Sequence, residues 1–203
     1  MAGREWFVPG RGPRALPPDV AAAGGEIADE VSDEALIARG DADGFVLLYR
    51  RHLPAIYRYA YARLGNRQDA EDLAALTFER AWARRGHYRA TGPFRGWLFG
   101  IAHRAVVDRR RRDRPVPAPV EALAEALPDP AAGPEAAAIS AEERALVGRI
   151  LAGLRPAQRE ILALRFFAGL PYDEIAGIVG KRTPAVKMLA YRALTALQEE
   201  VPR

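Results

Sequence analysis

The spacing of apolar residues in the last third of the chain predicts two helices separated by a glycine turn. Between residues 172 and 179, four apolar residues share one helical face, and Gly180 follows them as a turn residue. Thr183 is a typical N-cap and Pro184 suits the first helical position, so a second helix is expected to begin near Pro184. Its apolar positions recur at helical spacing: Val186, Leu189, Ala190, Ala193, Leu194 and Leu197. This pattern is typical of a helix-turn-helix.

The positions left over on the second helix are mainly basic and polar. They lie at its start and on the side away from the apolar stripe: Lys181, Arg182, Thr183, Lys187, Tyr191 and Arg192. A recognition helix that enters the major groove carries its reading residues at these positions. A solvated helix face is the simpler alternative for any one of these side chains, but turn, cap and basic face together favour DNA binding.

An earlier block, residues 32–112, is predicted to be wholly helical. Ser32 and Asp41 are placed to cap two helices, and Pro54 is expected to open a third that ends at Gly65. Asn66 then starts a longer helix. The apolar stripe of that helix is Ala70, Leu73, Ala74, Thr77, Phe78, Ala81 and Trp82. Its acids remain largely outside this stripe: Asp69, Glu71, Asp72 and Glu79.

The longest helix of this block is expected to begin at Pro93 and to end in a run of arginines. Its buried stripe is predicted to comprise Phe94, Trp97, Leu98, Ile101, Ala102, Ala105 and Val106. The run from Arg109 to Arg112 lies a turn or two beyond His103 and Arg104, and together they could neutralise several phosphates. The alternative is a solvated helix end placed favourably in the helix dipole. A neighbouring aromatic residue such as Tyr88, if exposed, would be able to stack on an unpaired base.

The remaining segments divide the chain into an all-α protein of two small domains. Residues 1–31 are rich in Gly, Pro and Ala and are predicted to be a disordered extension, with residues 6–8 as a possible docking element. Residues 113–139 carry six prolines among alanines and are expected to form a flexible linker, with room for a short helix over 120–127. The second domain, residues 140–203, is expected to begin with helices over 141–154 and 156–167.

Composition changes this picture only slightly. The formal net charge is +4, which mildly favours polyanionic partners, although the arginine richness is also what a GC-rich genome would produce. Cysteine is absent, so disulfides, thiolate zinc sites and cysteine nucleophiles are excluded. No metal-ligand spacing or phosphate-binding glycine loop indicates an enzyme or a cofactor. Without an apolar span or signal peptide, the protein is expected to be cytoplasmic and not inserted in a membrane.

The motifs of both domains resemble those of one family. Residues 69–73 (DAEDL) with 77–82 (TFERAW), and residues 94–102 (FRGWLFGIA) with Asp108 and Arg109, are similar to region 2 of bacterial RNA polymerase sigma factors of the extracytoplasmic-function (ECF) group. Residues 154–160 (LRPAQRE), 169–176 and the basic helix resemble region 4 of the same factors. The resemblance covers residues 32–112 and 140–198.

This resemblance implies a function for each set of residues. The set expected to bind core RNA polymerase is Asp69, Glu71, Asp72, Leu73, Leu76 and Glu79. The set expected to hold and melt the −10 element is Arg95, His103, Arg104, Asp108, Arg109, Arg110, Arg111 and Arg112. The set expected to bind the −35 element is Arg155, Arg159, Lys181, Arg182, Thr183, Lys187, Met188, Tyr191 and Arg192. The implied partners are core polymerase, promoter DNA and an anti-sigma factor, and the chain itself catalyses no reaction.

Two alternatives remain open at the level of the sequence. A stand-alone helix-turn-helix regulator would explain residues 140–198 but would leave the motifs between Asn66 and Arg112 unused. A sigma-like protein that has lost promoter activity is also compatible, because Ala74, Ala75 and Leu76 stand where the family usually has polar or acidic residues.

Overall fold

The computed structural model describes residues 7–8, 12–13, 31–112 and 153–200. Apart from two short strands and one 3-10 turn (Arg85–His87), the ordered elements of these residues are α-helices. They are α1 (Asp33–Arg39), α2 (Ala42–Leu64), α3 (Arg67–Ala83), α4 (Phe94–Arg112), α5 (Pro156–Phe166), α6 (Tyr172–Val179) and α7 (Thr183–Glu200). We refer to α1–α4 as the N-terminal domain and to α5–α7 as the C-terminal domain. The predicted all-α class is confirmed.

Helix ends in the N-terminal domain follow the predicted capping residues. The Ser32 hydroxyl accepts a hydrogen bond from the Ala35 amide at 3.1 Å, and the Asp41 carboxylate accepts one from Gly44 at 2.7 Å. Gly65 ends α2 in the left-handed conformation, with φ of 80°, which a residue with a side chain rarely adopts. Asn66 then caps α3, so these local predictions are confirmed.

Pro54 lies inside α2, and the predicted helix break there is wrong. Proline cannot donate the backbone hydrogen bond that would reach the carbonyl of Arg50. Both Pro54 and Arg50 are exposed, so water has access to that side of the helix. Leu48 before the proline and Ile56 after it are both fully buried. We attribute the continuous helix to this burial on the opposite side.

The core of the N-terminal domain lies where α2, α3 and α4 meet. Phe78 of α3 is fully buried and contacts two rings of α2, at centroid distances of 6.4 Å for Phe45 and 4.7 Å for Tyr49. Phe99 of α4 is also fully buried and packs edge-on against Tyr59 of α2. The predicted stripes of α3 and α4 are buried, except that Trp82 and Trp97 are half-buried.

A polar cluster joins α1 to the rest of this domain. One Asp33 oxygen lies 2.6 Å from His52 Nε2, and the other pairs with Arg51. The neighbouring Glu34 accepts a hydrogen bond from the first amide of α4, that of Phe94, at 3.0 Å. Burial by itself raises the pKa of Asp33, but His52 and Arg51 outweigh it and lower the pKa below its ordinary value.

Replacing Asp33 by asparagine is expected to lower the free energy of unfolding by about 1–3 kcal/mol at pH 7. Because the folded-state pKa of Asp33 is depressed, its stabilising contribution is present above the unfolded pKa of about 3.9 and is lost as the pH falls further. Urea unfolding of both proteins at pH 7 and at pH 3 measures this, and the difference between them should shrink at pH 3. Asp43→Asn, an exposed acid at the start of α2, is the control, and an equal loss in that variant would contradict the role of the cluster.

The C-terminal domain is a three-helix unit around a small apolar core. Ile161 and Leu164 of α5 are fully buried, as are Ile175 of α6 and Val186 of α7. Gly180 ends α6 in the left-handed conformation. The next helix begins at Thr183, one residue earlier than predicted, because the carbonyl of Arg182 already accepts the first helical hydrogen bond from Val186. Arg182, not Thr183, is therefore the capping residue.

Two strands lie near the N-terminus, β1 (Phe7–Val8) and β2 (Gly12–Pro13), which pair antiparallel. For these four residues the structure differs from the predicted disordered extension. Phe and Val favour extended conformations, and β2 lies against α3, which supports a local pairing that composition alone does not predict. The predicted linker, the possible helix over 120–127, Trp6 and most of the predicted helix over 141–154 lie outside the described residues.

Candidate polymerase and DNA interfaces

The helix-turn-helix presents a largely basic face formed by the turn before α7 and by α7 itself. The turn is closed by a hydrogen bond from the Lys181 amide to the Ala176 carbonyl at 3.0 Å. Thr183 is half-buried. The other predicted residues of this face are exposed: Lys181, Arg182, Lys187, Met188, Tyr191 and Arg192. Val186, Ala190 and Ala193 on the opposite side are buried, so the face is held outward by the core of its own domain.

The acids of α3 do not all share one environment. Glu71, Asp72 and Glu79 are exposed, and Leu76 is half-buried beside them. Asp69, by contrast, pairs with Arg109 of α4. Leu73 is 3% exposed, so its side chain belongs to the core of the domain. The surface that α3 offers a partner is therefore carried by Glu71, Asp72, Leu76 and Glu79.

The arginines at the end of α4 also differ in their exposure and contacts. Arg111 and Arg112 are exposed, and the Arg112 Nε donates to the carbonyl of Asp108 in its own helix. Arg109 is held by Asp69. Arg110 is half-buried, and its pKa is lowered by burial and by the neighbouring charge of Arg63. Of the predicted −10 residues in this run, Arg111 and Arg112 thus have the most access to a phosphate backbone.

An open cleft of about 290 Å³ lies between the N-terminal half of α4, the loop before it and α6. Tyr88 and Trp97 line it, with ring centroids 5.5 Å apart, and Arg104 is exposed at its edge. Phe94, predicted to be core, is fully buried behind these two rings. Two half-buried aromatic rings beside an exposed guanidinium can hold an unstacked base.

The C-terminal domain closes one side of this cleft. Glu174 and Ile178 of α6 line it opposite Trp97. Glu174 lies directly on the backbone of α4, because a Cβ placed on Gly96 would be only 2.5 Å from its Oε2 atom. Burial, followed by the charge of Asp173, raises the pKa of Glu174. Helix α6 is thus in contact with the part of α4 that is predicted to bind the −10 element.

Glu160 of α5 is the principal polar link between the two domains. Its Oε2 atom lies 2.8 Å from the Arg63 guanidinium, and its Oε1 atom accepts from the Tyr59 hydroxyl at 2.6 Å. His103 Nδ1 lies 3.0 Å from the same Oε1 atom. Burial raises the pKa of Glu160, but the charge of Arg63 and the contacts with His103 and Tyr59 reverse this effect and hold the pKa at about 2. The carboxylate is therefore ionised at neutral pH.

Three more predicted DNA-binding arginines occupy different environments. The Arg95 guanidinium lies against Gly169 of the C-terminal domain. Arg159 donates to the Leu154 carbonyl at 3.1 Å, and burial, followed by the charges of Arg63 and Arg110, lowers its pKa. Arg155 is exposed. Arg95 and Arg159 thus lie at or near the contact between the domains, whereas Arg155 faces solvent.

The sequence interpretation missed Tyr59, Arg63 and Glu160 as functional candidates. The available signal was a charged residue on a buried helical face. Arg63 follows Tyr59 by four residues on α2, and Glu160 precedes Leu164 by four residues on α5. A charge at such a position must find a partner from another element, because burying it alone is costly.

Two negative findings apply to the described part of the chain. Within residues 31–112, residues 153–200 and the two short strands, no group of three or more His, Asp or Glu side chains is arranged to hold a metal ion. In the same residues, no helix has both the length and the apolar character needed to span a bilayer.

Comparison with known proteins gives matches to both domains. Residues 48–115 match the family Sigma-70 region 2, and residues 144–197 match Sigma-70, region 4. The ECF RNA polymerase sigma factor SigD of Mycobacterium tuberculosis is 36% identical over 188 residues, which cover 87% of this chain and 85% of SigD. The ECF RNA polymerase sigma factor BldN of Streptomyces coelicolor is 34% identical over 80% of this chain, which spans 62% of the length of BldN.

Solved structures share the arrangement of helices. CnrH, in complex with the cytosolic domain of CnrY, superposes with a TM-score of 0.62 at 25% identity, covering 82% of this chain and 95% of CnrH. The sigma factor RpoE of Bartonella quintana, in complex with the anti-sigma factor NepR, gives a TM-score of 0.57 at 22% identity, over 78% of this chain and 96% of RpoE, and shows the fold alone.

An exposed basic helix face in one domain and an exposed acidic helix face in the other fit a DNA-binding protein of the transcription machinery. Together with the two matched regions and the relatives, they show that the chain belongs to the ECF group of the sigma-70 family of RNA polymerase sigma factors. It is thus a factor for promoter-specific transcription initiation. A stand-alone regulator without polymerase binding has no support, because it leaves the region 2 match unexplained.

Proposed function

We propose that α3 docks on core RNA polymerase through Glu71, Asp72, Leu76 and Glu79. The observation that supports this assignment is their exposure on one helix of the region 2 match, with an apolar side chain beside three exposed acids, of which Asp72 accepts a hydrogen bond from Gln68. Charged side chains around an apolar contact are typical of protein interfaces, where they set orientation and association rate. Asp69 and Leu73 instead stabilise the fold of the domain that carries this surface. Asp69 pairs with Arg109, and Leu73 packs in the core.

The −10 element is assigned to the aromatic cleft and the exposed arginines of α4. Tyr88 and Trp97 would stack on unpaired bases, while Arg104, Arg111 and Arg112 would follow the strand backbone. Stacking of displaced bases offsets part of the cost of opening the duplex, and it is the same physical device that single-strand-binding proteins use.

The −35 element is assigned to the exposed face of α7. Lys187 and Arg192 lie on the outward side of the helix, where a major groove would receive them, and Lys181 and Arg182 at the turn are placed to contact phosphates. The chain would make and break no bonds, so that the polymerase alone supplies catalysis. We infer that it acts in the cytoplasm, where RNA polymerase works.

Charge reversal on α3 tests polymerase docking. Glu71→Lys is expected to weaken binding to core RNA polymerase about tenfold, because it removes an exposed interface charge and adds a repulsive one. Asp43→Lys, an exposed acid on α2, makes the same change in charge outside the proposed face and should bind as the wild type does. Equal affinities of the two variants for immobilised core enzyme would contradict this docking surface.

Transcription from genomic DNA tests the function as a whole. Wild-type protein added to core polymerase is expected to give new, specific start sites that share −10 and −35 sequences. Polymerase binding without specific starts would instead indicate a sigma-like protein that has lost promoter activity.

An inhibitory protein partner is the remaining part of the proposal. CnrH was solved in complex with the cytosolic domain of another protein, and it shares 25% identity and the fold with this chain. A partner that covers α3 and the cleft would block both proposed activities. Purification of the tagged chain from its native cells is expected to yield one stoichiometric partner, and its absence under non-inducing conditions would count against this part of the proposal.

A further inference from the structure

The C-terminal domain covers the proposed −10 surface of the N-terminal domain with two carboxylates. Glu160 contacts His103 and Arg63, and Glu174 lies on α4 at Gly96, inside the aromatic cleft. Arg95 is covered by Gly169. We call this the closed arrangement. In this arrangement, residues predicted to bind DNA are in contact with groups of the C-terminal domain instead.

The Glu160 carboxylate is buried with a partner for each of its oxygens, whereas the buried Nε of Arg63 has no hydrogen-bond partner among the described residues. The Glu160 side chain is 8% exposed and that of Arg63 is 4% exposed, and each of the two carboxylate oxygens has a partner at 3.0 Å or less. Buried charges contribute to an interface only when their hydrogen bonds are satisfied, and removal of one partner leaves the other uncompensated. The closed arrangement should therefore depend on Glu160.

The groups that contact Glu160 are of the kinds that bind nucleic-acid phosphates. A guanidinium, an imidazole and a hydroxyl converge on its two oxygens, and such groups bind phosphate oxygens as readily as carboxylate oxygens. Further positive charge lies close by, since the pKa of Arg110 and that of Arg159 are each lowered by burial and by neighbouring arginines. One carboxylate thus lies among several cations.

The closed arrangement is not compatible with reading both promoter elements at once. Positions −10 and −35 are separated by about 25 base pairs, or about 85 Å along a duplex. The whole recognition helix has 18 residues and is about 27 Å long. Domains in direct contact through Glu160 cannot place their two DNA surfaces that far apart.

We propose that the free chain inhibits itself: the C-terminal domain occupies the −10 surface, with Glu160 in the place of a strand phosphate, until the domains separate. This inference rests on the proposed −10 site. Glu160 is a positioning residue that holds the two domains together and has no place in the open, promoter-bound form.

A distance measurement tests the closed arrangement directly. The chain has no cysteine, so Arg50→Cys and Gln198→Cys, at exposed positions on α2 and α7, provide one unique pair of spin labels. Pulsed electron paramagnetic resonance should give a single narrow distance distribution between the two labels in the free chain that is otherwise wild type. Glu160→Ala is expected to broaden and lengthen it, with the closed population reduced about tenfold or more. Tyr59→Phe, which keeps the ring and the net charge, should have a smaller effect in the same direction.

Asp43→Asn is the matched control, because it also removes one negative charge at an exposed position, near the end of α2 opposite to Tyr59 and Arg63. It should retain the wild-type distance. A mixed-sequence single-stranded DNA 12-mer is expected to bind the Glu160→Ala chain about tenfold more tightly than the Asp43→Asn chain. The helix content of each variant is checked by circular dichroism and should equal that of the wild type.

Two results would overturn the inference. A broad distance distribution in the wild type, or an unchanged one in Glu160→Ala, would show that Glu160 does not hold the domains together. Separation of the two domains in Glu160→Ala without tighter binding of the 12-mer would show that the C-terminal domain does not occupy the strand-binding surface. Failure of the proposed function would be recognised separately, as an absence of specific start sites in the transcription experiment.

Discussion

Alanine in place of Phe78 is expected to lower the free energy of unfolding of the N-terminal domain by about 3–5 kcal/mol. The ring is fully buried and contacts Phe45 and Tyr49, so its removal loses both the transfer free energy of the ring and its aromatic contacts. A small domain has little stability to spare, and much of the variant should be unfolded at physiological temperature. Thermal and urea unfolding followed by circular dichroism measure the change.

Phe166→Ala removes the same side chain from a position that is 54% exposed. Its effect should stay below about 1 kcal/mol, because a largely exposed ring contributes little to burial. The functional consequence of Phe78→Ala follows from its place on α3: the proposed docking helix loses its packing on α2, and polymerase binding should fall with the folded fraction. A loss for Phe78→Ala as small as that expected for Phe166→Ala would contradict the contribution of the α2–α3 core to the stability of the N-terminal domain.

Replacing Arg111 and Arg112 together by alanine is expected to weaken promoter binding by the polymerase complex about tenfold or more. Both side chains are exposed at the end of α4, and each phosphate contact that is lost also removes a released counterion. The slope of log affinity against log salt should therefore become less negative by about 2. Binding of a labelled promoter fragment at several salt concentrations provides the measurement.

Arg50 and Arg84 supply the matched control, since both are exposed arginines on the same domain. Their double alanine variant changes the net charge by the same amount and should leave the slope nearly unchanged. If the Arg111 and Arg112 variant also keeps the wild-type slope, these side chains only solvate a helix end. Arg109 is unsuitable for this test, because it pairs with Asp69 and its loss would disturb the packing of α3 on α4.

The closed arrangement changes the interpretation of the predicted DNA-binding residues. His103 and Arg95 are in contact with the C-terminal domain, so neither is available to a promoter strand in this form. Arg104, Arg111 and Arg112 remain exposed. An initial encounter with DNA can therefore use the exposed arginines, and full engagement of the −10 surface requires the domains to separate.

Local features of the fold were predictable because they depend on neighbours within a few residues. Ser32, Asp41 and Asn66 cap their helices by hydrogen bonds to amides three residues ahead, which is a property of the sequence alone. The stripe through Phe78 also followed from helical periodicity. Pro54 was the exception, because the packing of residues on the opposite side of α2 outweighs the local preference for a break there.

The sequence by itself determined which residues form helices, which face of each helix is apolar, and which family the motifs resemble. Only the tertiary structure decided which charged groups meet: Arg109 with Asp69 across 40 residues, and Tyr59 with Glu160 across 101. Periodicity shows that a side chain faces inward or outward on its own helix. It carries no information about which other helix packs there, because that choice depends on how several apolar faces pack together at once.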